Sequence, residues 1–272
     1  MISFNDQLGR IIHLRAYPKR IISVVPSQTE LLYELGLEDE VVGITKFCIH
    51  PEKWFGSKTR VGGTKTLKVD LIHSLQPDLI IANKEENTKE QIDELASRYP
   101  VWVSDVNDLD TALQMIAAVG TLTNKIERAN SIAKGIEYSF SNLSISHKQR
   151  ASSHTPETAY LIWKDPYMIA GGDTFINSML KTCGFKNAFE HLIRYPKIDI
   201  SELQAANCRL ILLSSEPYPF KQKHIKELEG TLPGAKIILV DGEMFSWYGS
   251  RLLQSAEYFQ ELTDEVYGPP VR

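Results

Sequence analysis

The sequence predicts an α/β protein of two lobes with mainly parallel sheets, bridged by one long helix. Three observations lead there. Short β-branched runs alternate with helical patterns over residues 20–103, a spacing that suits βα units rather than a sandwich. The same alternation starts again after residue 156. Between the two, Leu109, Leu113, Ile116, Val119, Leu122, Ile126, Ala129, Ile132, Ile136 and Phe140 recur at steps of three or four, one apolar stripe at helical period. The predicted division is an N-terminal lobe over 1–106, a bridging helix over 107–146 and a C-terminal lobe over 147–272.

Taken in order, residues 2–20 predict a hairpin, with 10–14 as a strand and Tyr17-Pro18 as its break. Residues 20–25 form a β-branched run that ends at Pro26-Ser27, and 29–35 follow with a helical pattern closed by Gly36. Val41–Ile44 is the next strand, and it opens into a loop holding Phe47, Cys48, His50, Pro51, Trp54, Phe55 and Gly56. Residues 60–63 lead to a helix over Val69–Leu75 and a strand over 78–82; then come a helix over 89–98 and a strand over 101–103.

Asn107 or Asp108 can cap the long helix. A single helix over 109–140 is roughly 48 Å long, more than one lobe needs. The alternative is two shorter helices broken near Gly120 or Asn124, because an interior glycine costs roughly 1 kcal/mol against alanine. Beyond it, residues 147–156 read as a polar linker. Strands are expected over 158–163, 210–213 and 236–240, and helices over 173–183, 201–206, 221–229 and 251–261. The halves carry a faint repeat: Asp70 opens a short helix before the strand residue Leu79, and Glu202 opens one before Leu210.

With 272 residues and 43% hydrophobic content the chain can bury a large core. The formal charge of -4, the pI near 6.0 and the lack of a basic run argue against nucleic acid or an anionic membrane surface as partner. No segment reaches the roughly 18 consecutive apolar residues of a membrane span. Residues 1–7 show neither a basic n-region nor an apolar h-region, so the expectation is a cytoplasmic chain or one whose leader has been removed. Cys48, Cys183 and Cys208 are odd in number and widely spaced, which supports neither a disulfide framework nor a zinc site; Cys183 and Cys208 read as core.

Ligands of open α/β sheets bind beyond the carboxyl ends of the strands. In the first lobe those positions hold Pro26, Ser27, Gln28 and Thr29, then Phe47 and Cys48 with Trp54, then Asn83, Lys84 and Glu85. In the second they hold Trp163, Lys164, Asp165 and Tyr167, then Ser215, Glu216 and Tyr218, then Glu243, Phe245, Trp247, Tyr248 and Arg251. Aromatic side chains dominate, which fits a flat apolar ligand, with loop packing as the plainer account of Trp247 and Tyr248. Catalytic templates are absent: no glycine-rich dinucleotide turn, Walker loop, serine elbow or His-Glu-x-x-His occurs. Only His50 among the histidines falls in a candidate site loop, and it lacks partners for a metal. Cys48 lies near it with no evident base to make it a reactive thiol. Neither a catalytic residue nor an intrinsic cofactor or metal is expected.

Six segments carry a resemblance. They are Arg-Ile-Ile-Ser-Val-Val-Pro-Ser-Gln-Thr-Glu at 20–30, Val-Val-Gly-Ile-Thr at 41–45, Gln-Pro-Asp-Leu-Ile-Ile-Ala at 76–82, Ala-Gly-Gly-Asp-Thr-Phe-Ile at 170–176, Cys-Gly-Phe-Lys-Asn at 183–187 and Trp-Tyr-Gly-Ser-Arg at 247–251. In this order, over nearly the whole chain, they resemble the substrate-binding proteins of ABC importers that have a long helical backbone, the group serving cobalamin and iron-siderophores. The resemblance implies two Rossmann-like lobes bridged by one helix, and a ligand held in the cleft between them. It also implies delivery of that ligand to an ABC importer permease, by a monomer working in the periplasm.

Carried over by residue, Phe47 matches a pocket aromatic of the cobalamin binders, Trp163 falls near another, and residues 245–251 resemble the segment lining the cleft floor of the second lobe. Where cobalamin binders place tryptophans after Gly62-Gly63 and after Ala82, this chain has Thr64 and Asn83. That departure leaves other corrinoids, haem or an iron-siderophore open. Arg251 is expected either to neutralise a ligand carboxylate or to pack at the start of the last helix. Asp70 and Glu202 are first-turn acids that a helix dipole favours; the resemblance implies that such acids meet arginines on the permease, one per lobe. The rival expectation is a cytoplasmic corrinoid-handling protein or enzyme using the same cleft, in keeping with the leaderless start and the odd cysteines. A direct metal-ion receptor ranks third, since His50 lacks partner ligands.

Overall fold

The computed structural model describes residues 1–150 and 155–268, with the side chains of all of these except 144–150. Contacts divide the chain into two compact units. The first holds Met1–Val106, Asp110–Gly135 and Trp247–Arg251; the second holds Asn107–Leu109, Ile136–Ser246 and the chain from Leu252 on.

The first unit opens with the expected hairpin of β1 (Ile2–Asn5) and β2 (Ile11–Leu14), Ile2 facing Leu14. Then come β3 (Ile21–Ser23), α1 (Pro26–Glu34), β4 (Val41–Ile44), α2 (Glu52–Ser57), β5 (Thr59–Arg60), β6 (Gly62–Gly63), β7 (Thr66–Leu67), α3 (Val69–Leu75), β8 (Leu79–Asn83), α4 (Lys89–Ala96) and β9 (Val101–Ser104). The sheet runs β5-β4-β3-β8-β9, and every pairing in it is parallel. Residues of β3, β8 and β9 are buried throughout, as strands covered on both faces must be. Ile22, Val24, Ile72, Ile80, Leu95 and Val101 belong to one core cluster, to which α3 and α4 contribute their apolar faces.

The long apolar stripe folds as two helices, α5 (Leu109–Leu122) and α6 (Ile126–Arg150), so the single continuous helix is not what forms. Asn124, at φ 58, takes the left-handed conformation that asparagine tolerates better than most residues, and it ends α5. The N–H of Lys125 donates to the Gly120 carbonyl at 2.6 Å across this turn. Gly120 lies inside α5 for a packing reason: a Cβ there would stand 2.2 Å from the Ala129 Cβ. Leu122 and Ile126 keep a helical spacing in sequence, which hides the turn, but Leu122 is buried whereas Ile126 is 46% exposed. From Ile136 onward α6 belongs to the second unit. The expected linker begins inside α6, and residues 151–154 lie outside the described residues.

The second unit continues with β10 (Glu157–Trp163), β11 (Tyr167–Ile169), α7 (Phe175–Thr182), β12 (Lys186–Asn187), β13 (Lys197–Ile198), α8 (Ile200–Ala205), β14 (Leu210–Ser214), α9 (Gln222–Glu229), β15 (Lys236–Val240), α10 (Gly242–Ser246) and α11 (Leu252–Tyr267). Its sheet follows the path β13-β11-β10-β14-β15, with β12 also paired to β10. The strands β10, β14 and β15 are parallel, while β11 and β13 add antiparallel pairs. Beyond β11, Gly171 and Gly172 donate to the Arg194 and Leu192 carbonyls at 2.8 and 2.7 Å. A Cβ on Gly172 would meet the Glu190 carbonyl oxygen at 2.0 Å, so this close backbone approach requires glycine. Thr174 caps α7, its Oγ1 accepting from the Asn177 N–H at 3.2 Å. The last helix extends past residue 261 because Leu262 and Thr263 are still buried. The segment Trp247–Arg251 departs from the expected 147–272 lobe, since its contacts place it in the first unit.

Candidate functional site

At the carboxyl edge of the first sheet, α1 starts directly on Pro26, whose fixed φ and missing N–H suit a first helical position. Ser27 and Gln28, in its first turn, are buried, and Ser27 Oγ and Gln28 Oε1 have no hydrogen-bond partner among the described residues. Gln28 Nε2 donates to Ser104 Oγ, the last residue of β9. Phe47, just beyond β4, is 50% exposed, and Lys46 Nζ sits 4.9 Å from its ring centroid, a cation against an aromatic face. Together they present an exposed ring beside a cation at the sheet's carboxyl edge.

Cys48 is buried beyond β4. Its Sγ lies 3.1 Å from both Thr29 Oγ1 and Thr45 Oγ1, and burial pushes the thiol above its ordinary pKa despite those two bonds. Burial also raises Cys183, and Cys208 to about 11. The expected result at pH 8 is that none of the three thiols reacts promptly with an aromatic disulfide reagent in the folded protein, and that all react after denaturation. A fast-reacting native thiol contradicts this.

Several residues expected at the ligand are buried or bonded to protein groups. Trp54 is fully buried in edge-on contact with Tyr33 at 5.3 Å, so it packs inside the first unit and offers no ligand surface. Asn83 is buried and its amide organises the loop after β8: Oδ1 accepts from the N–H groups of Glu85 and Glu86 at 2.8 and 3.0 Å, and Nδ2 donates to Ser104 Oγ at 3.0 Å. Thr64 is buried too, its carbonyl accepting from Asn87 Nδ2 at 3.0 Å. Phe245 is fully buried in the second unit, with ring centroids 4.7 Å from Phe259 and 5.0 Å from Tyr160.

The segment Trp247–Arg251 is largely buried in the first unit. Arg251 forms a two-pronged ion pair with Glu30 of α1, Nε to Oε2 at 3.0 Å and Nη2 to Oε1 at 2.6 Å. The same guanidinium lies 4.8 Å over the Trp247 ring, which also meets the His50 ring at 5.4 Å. Arg251 is thus held by protein groups in this structure, which favours the packing role over that of a ligand's counter-charge. Tyr248 is buried beside it.

In the second unit, Trp163 closes β10 and is 39% exposed, set edge-on to Tyr218 at 5.7 Å. Tyr218 in turn packs on Phe220 at 4.8 Å. Tyr167 begins β11, is partly buried, and belongs with Tyr218 to the fringe of this unit's core. Lys164 binds both carboxylate oxygens of Glu227 at 2.6 and 2.5 Å. Trp163 and Tyr218 therefore form an aromatic pair at the carboxyl edge of the second sheet, with Tyr167 packed on the core at the start of β11.

Asp70 is exposed in the first turn of α3 and Glu202 in the first turn of α8. Glu202 also closes a capping box, in which its carboxylate accepts from the Asp199 N–H at 2.8 Å while Asp199 accepts from the Glu202 N–H at 3.0 Å. Sequence reasoning missed Glu30, which stands far from Arg251 in the chain. It also passed over Lys46, a surface lysine like many others until the fold sets it on Phe47. Among the described residues no group of three His, Cys, Asp or Glu side chains can hold a metal ion, and no helix is long and apolar enough to cross a membrane.

A family model described as periplasmic binding protein matches residues 21–234, well over half of the chain. An uncharacterized ABC transporter substrate-binding lipoprotein of Bacillus subtilis (strain 168) is 24% identical over 98% of this chain and 85% of its own length. A vitamin B12-binding protein of Photorhabdus laumondii is 25% identical over 92% of this chain and 90% of its own. A periplasmic heme-binding protein from Pseudomonas aeruginosa shares the fold at TM-score 0.80 with 18% identity, covering 94% of this chain and 95% of that one. The alternating strands and helices of both units agree with that match, and the chain belongs to the periplasmic binding protein family.

Proposed function

We propose that the protein is the substrate-binding component of an ABC importer and captures a metal chelate or corrinoid: cobalamin-like, haem or an iron-siderophore. The observation that carries the reading is the family match joined to exposed rings at the carboxyl edges of the sheets. Phe47 under Lys46 in the first unit, and Trp163 against Tyr218 in the second, are the groups assigned to the ligand. Exposed rings lose apolar surface to a flat ligand face, and the lysine favours one that carries an anionic group. One of these relatives is named for binding vitamin B12 and the Pseudomonas aeruginosa structure for binding heme, which supports the class and leaves the individual ligand to experiment. Work outside the cytoplasm and a permease as partner follow from the same reading. The enzyme alternative draws no support from a family of binding proteins.

The test is a titration of the purified chain with hemin, cyanocobalamin and a ferric hydroxamate, read by quenching of intrinsic tryptophan fluorescence. Binding of one of them is expected. Trp163→Ala then weakens that binding by roughly 1–3 kcal/mol, the scale of a truncated aromatic anchor. Saturable binding that the substitution leaves unchanged removes Trp163 from the site, and failure to bind any of the three removes the ligand class.

A further inference from the structure

The chain leaves the second unit after Ser246, joins the first as Trp247–Arg251, and returns to the second at Leu252. Five residues thus form a strap on α1. Gly249 sits so close to the helix that a Cβ would meet the Ser27 carbonyl oxygen at 2.7 Å and the Leu31 Cβ at 3.6 Å. One turn along α1 from Ser27, Glu30 takes the two-pronged pair with Arg251, their side chains 14% and 9% exposed. An ion pair this sheltered loses much of its Coulombic gain to desolvation, and the best-attested use of such pairs is to fix a register. A planar guanidinium paired side-on through Nε and Nη2 fixes its orientation on a carboxylate more narrowly than a flexible apolar contact would. Here the fork also covers the Trp247 ring, which stands in turn against His50 on the loop after β4.

We propose that Glu30 and Arg251 are positioning residues: their ion pair locks the strap in register on α1 and thereby holds Trp247 against the His50 loop, which also carries Phe47. Arg251 acts through Trp247 and not on the ligand. Glu30 is as necessary as Arg251, because the fork has its register only on that carboxylate. The effect on ligand affinity rests on the receptor reading above; the effect on Trp247 does not.

The experiment uses the full chain labelled with 5-fluorotryptophan, whose four tryptophans give fluorine resonances, that of Trp247 being assigned by its loss in Trp247→Phe. Glu30→Gln and Arg251→Gln are each expected to shift and broaden the Trp247 resonance while those of Trp54 and Trp102 stay in place, which shows that the fold is kept. Adding Glu30→Gln to Arg251→Gln shifts it no further, because the pair is already broken, whereas Arg251→Gln by itself also takes the guanidinium off the Trp247 ring. For whichever of hemin, cyanocobalamin and ferric hydroxamate binds, both single variants lose affinity by roughly tenfold or more, because the loop that Trp247 supports through His50 carries the ligand ring Phe47. A Trp247 resonance that Glu30→Gln leaves unmoved overturns the proposal. So does full ligand affinity in Glu30→Gln beside loss in Arg251→Gln, which puts Arg251 on the ligand itself. If the unmodified chain binds none of the three, the receptor reading for this class fails, and the resonance still decides whether the pair positions Trp247.

Discussion

Phe245→Ala is expected to destabilise the protein by roughly 3–5 kcal/mol, the cost of removing a large ring from a closed core. The side chain has no exposed surface, and its ring touches Phe259 at 4.7 Å, Tyr160 at 5.0 Å and Tyr258 at 6.4 Å. These neighbours come from β10 and α11, and their own polar ends are fixed. Tyr160 Oη donates to Ser214 Oγ at 3.1 Å, and Tyr258 Oη accepts from the Asp241 N–H at 2.8 Å, so neither ring can swing inward to fill the cavity. Urea denaturation followed by near-ultraviolet circular dichroism measures the loss. A decrease below about 1 kcal/mol would mean that the cavity collapses, contrary to this packing. Since Phe245 is fully buried, the expectation is that the substitution reaches ligand affinity only through stability. The sequence position just beyond a strand suggested a ligand contact instead.

That contrast shows which features were legible. Strands such as β8 and β14 announce themselves as compact β-branched or leucine-rich runs, because a strand buried on both faces needs apolar residues at nearly every position. Helix ends at Gly36 and Gly184, and the candidate ring at Trp163, follow from local chemistry in the same way. Side-chain direction does not. Phe47 and Trp54 share one loop, yet Phe47 is half exposed and Trp54 fully buried, since α2 turns its Trp54 face inward, a short helix that no clear periodicity marks. Asn83 stands where a ligand contact was expected, but its amide satisfies backbone groups two and three residues on, a local turn that competes with any ligand. The Glu30–Arg251 pair depends wholly on tertiary folding. Nothing in either local sequence distinguishes Glu30 from the solvated acids around it.

Reversing two exposed acids, Asp70→Lys with Glu202→Lys, is expected to abolish ligand uptake in cells while leaving ligand affinity of the purified protein unchanged. The two acids occupy corresponding places, each in the first turn of a short helix that feeds a buried parallel strand, α3 before β8 and α8 before β14. We propose that they meet cationic groups of the permease, where exposed charges act chiefly on encounter and orientation. The two acids differ in what they do for their own helices. Asp70 has only the dipole to serve, worth roughly 0.3–1 kcal/mol, whereas Glu202 completes the capping box with Asp199, and losing a cap costs roughly 0.5–2 kcal/mol. The lysine pair therefore lowers the melting temperature somewhat, and a second pair is needed. Asp70→Asn with Glu202→Gln removes both charges, and the glutamine oxygen can still accept from the Asp199 N–H and keep the box. If docking uses the charges, this neutral pair loses most uptake at nearly unchanged melting temperature, and the loss diminishes as salt rises in a reconstituted assay because the wild-type contact is itself screened. If the neutral pair transports as well as the wild type while the lysine pair fails and melts early, the acids serve α3 and α8 alone.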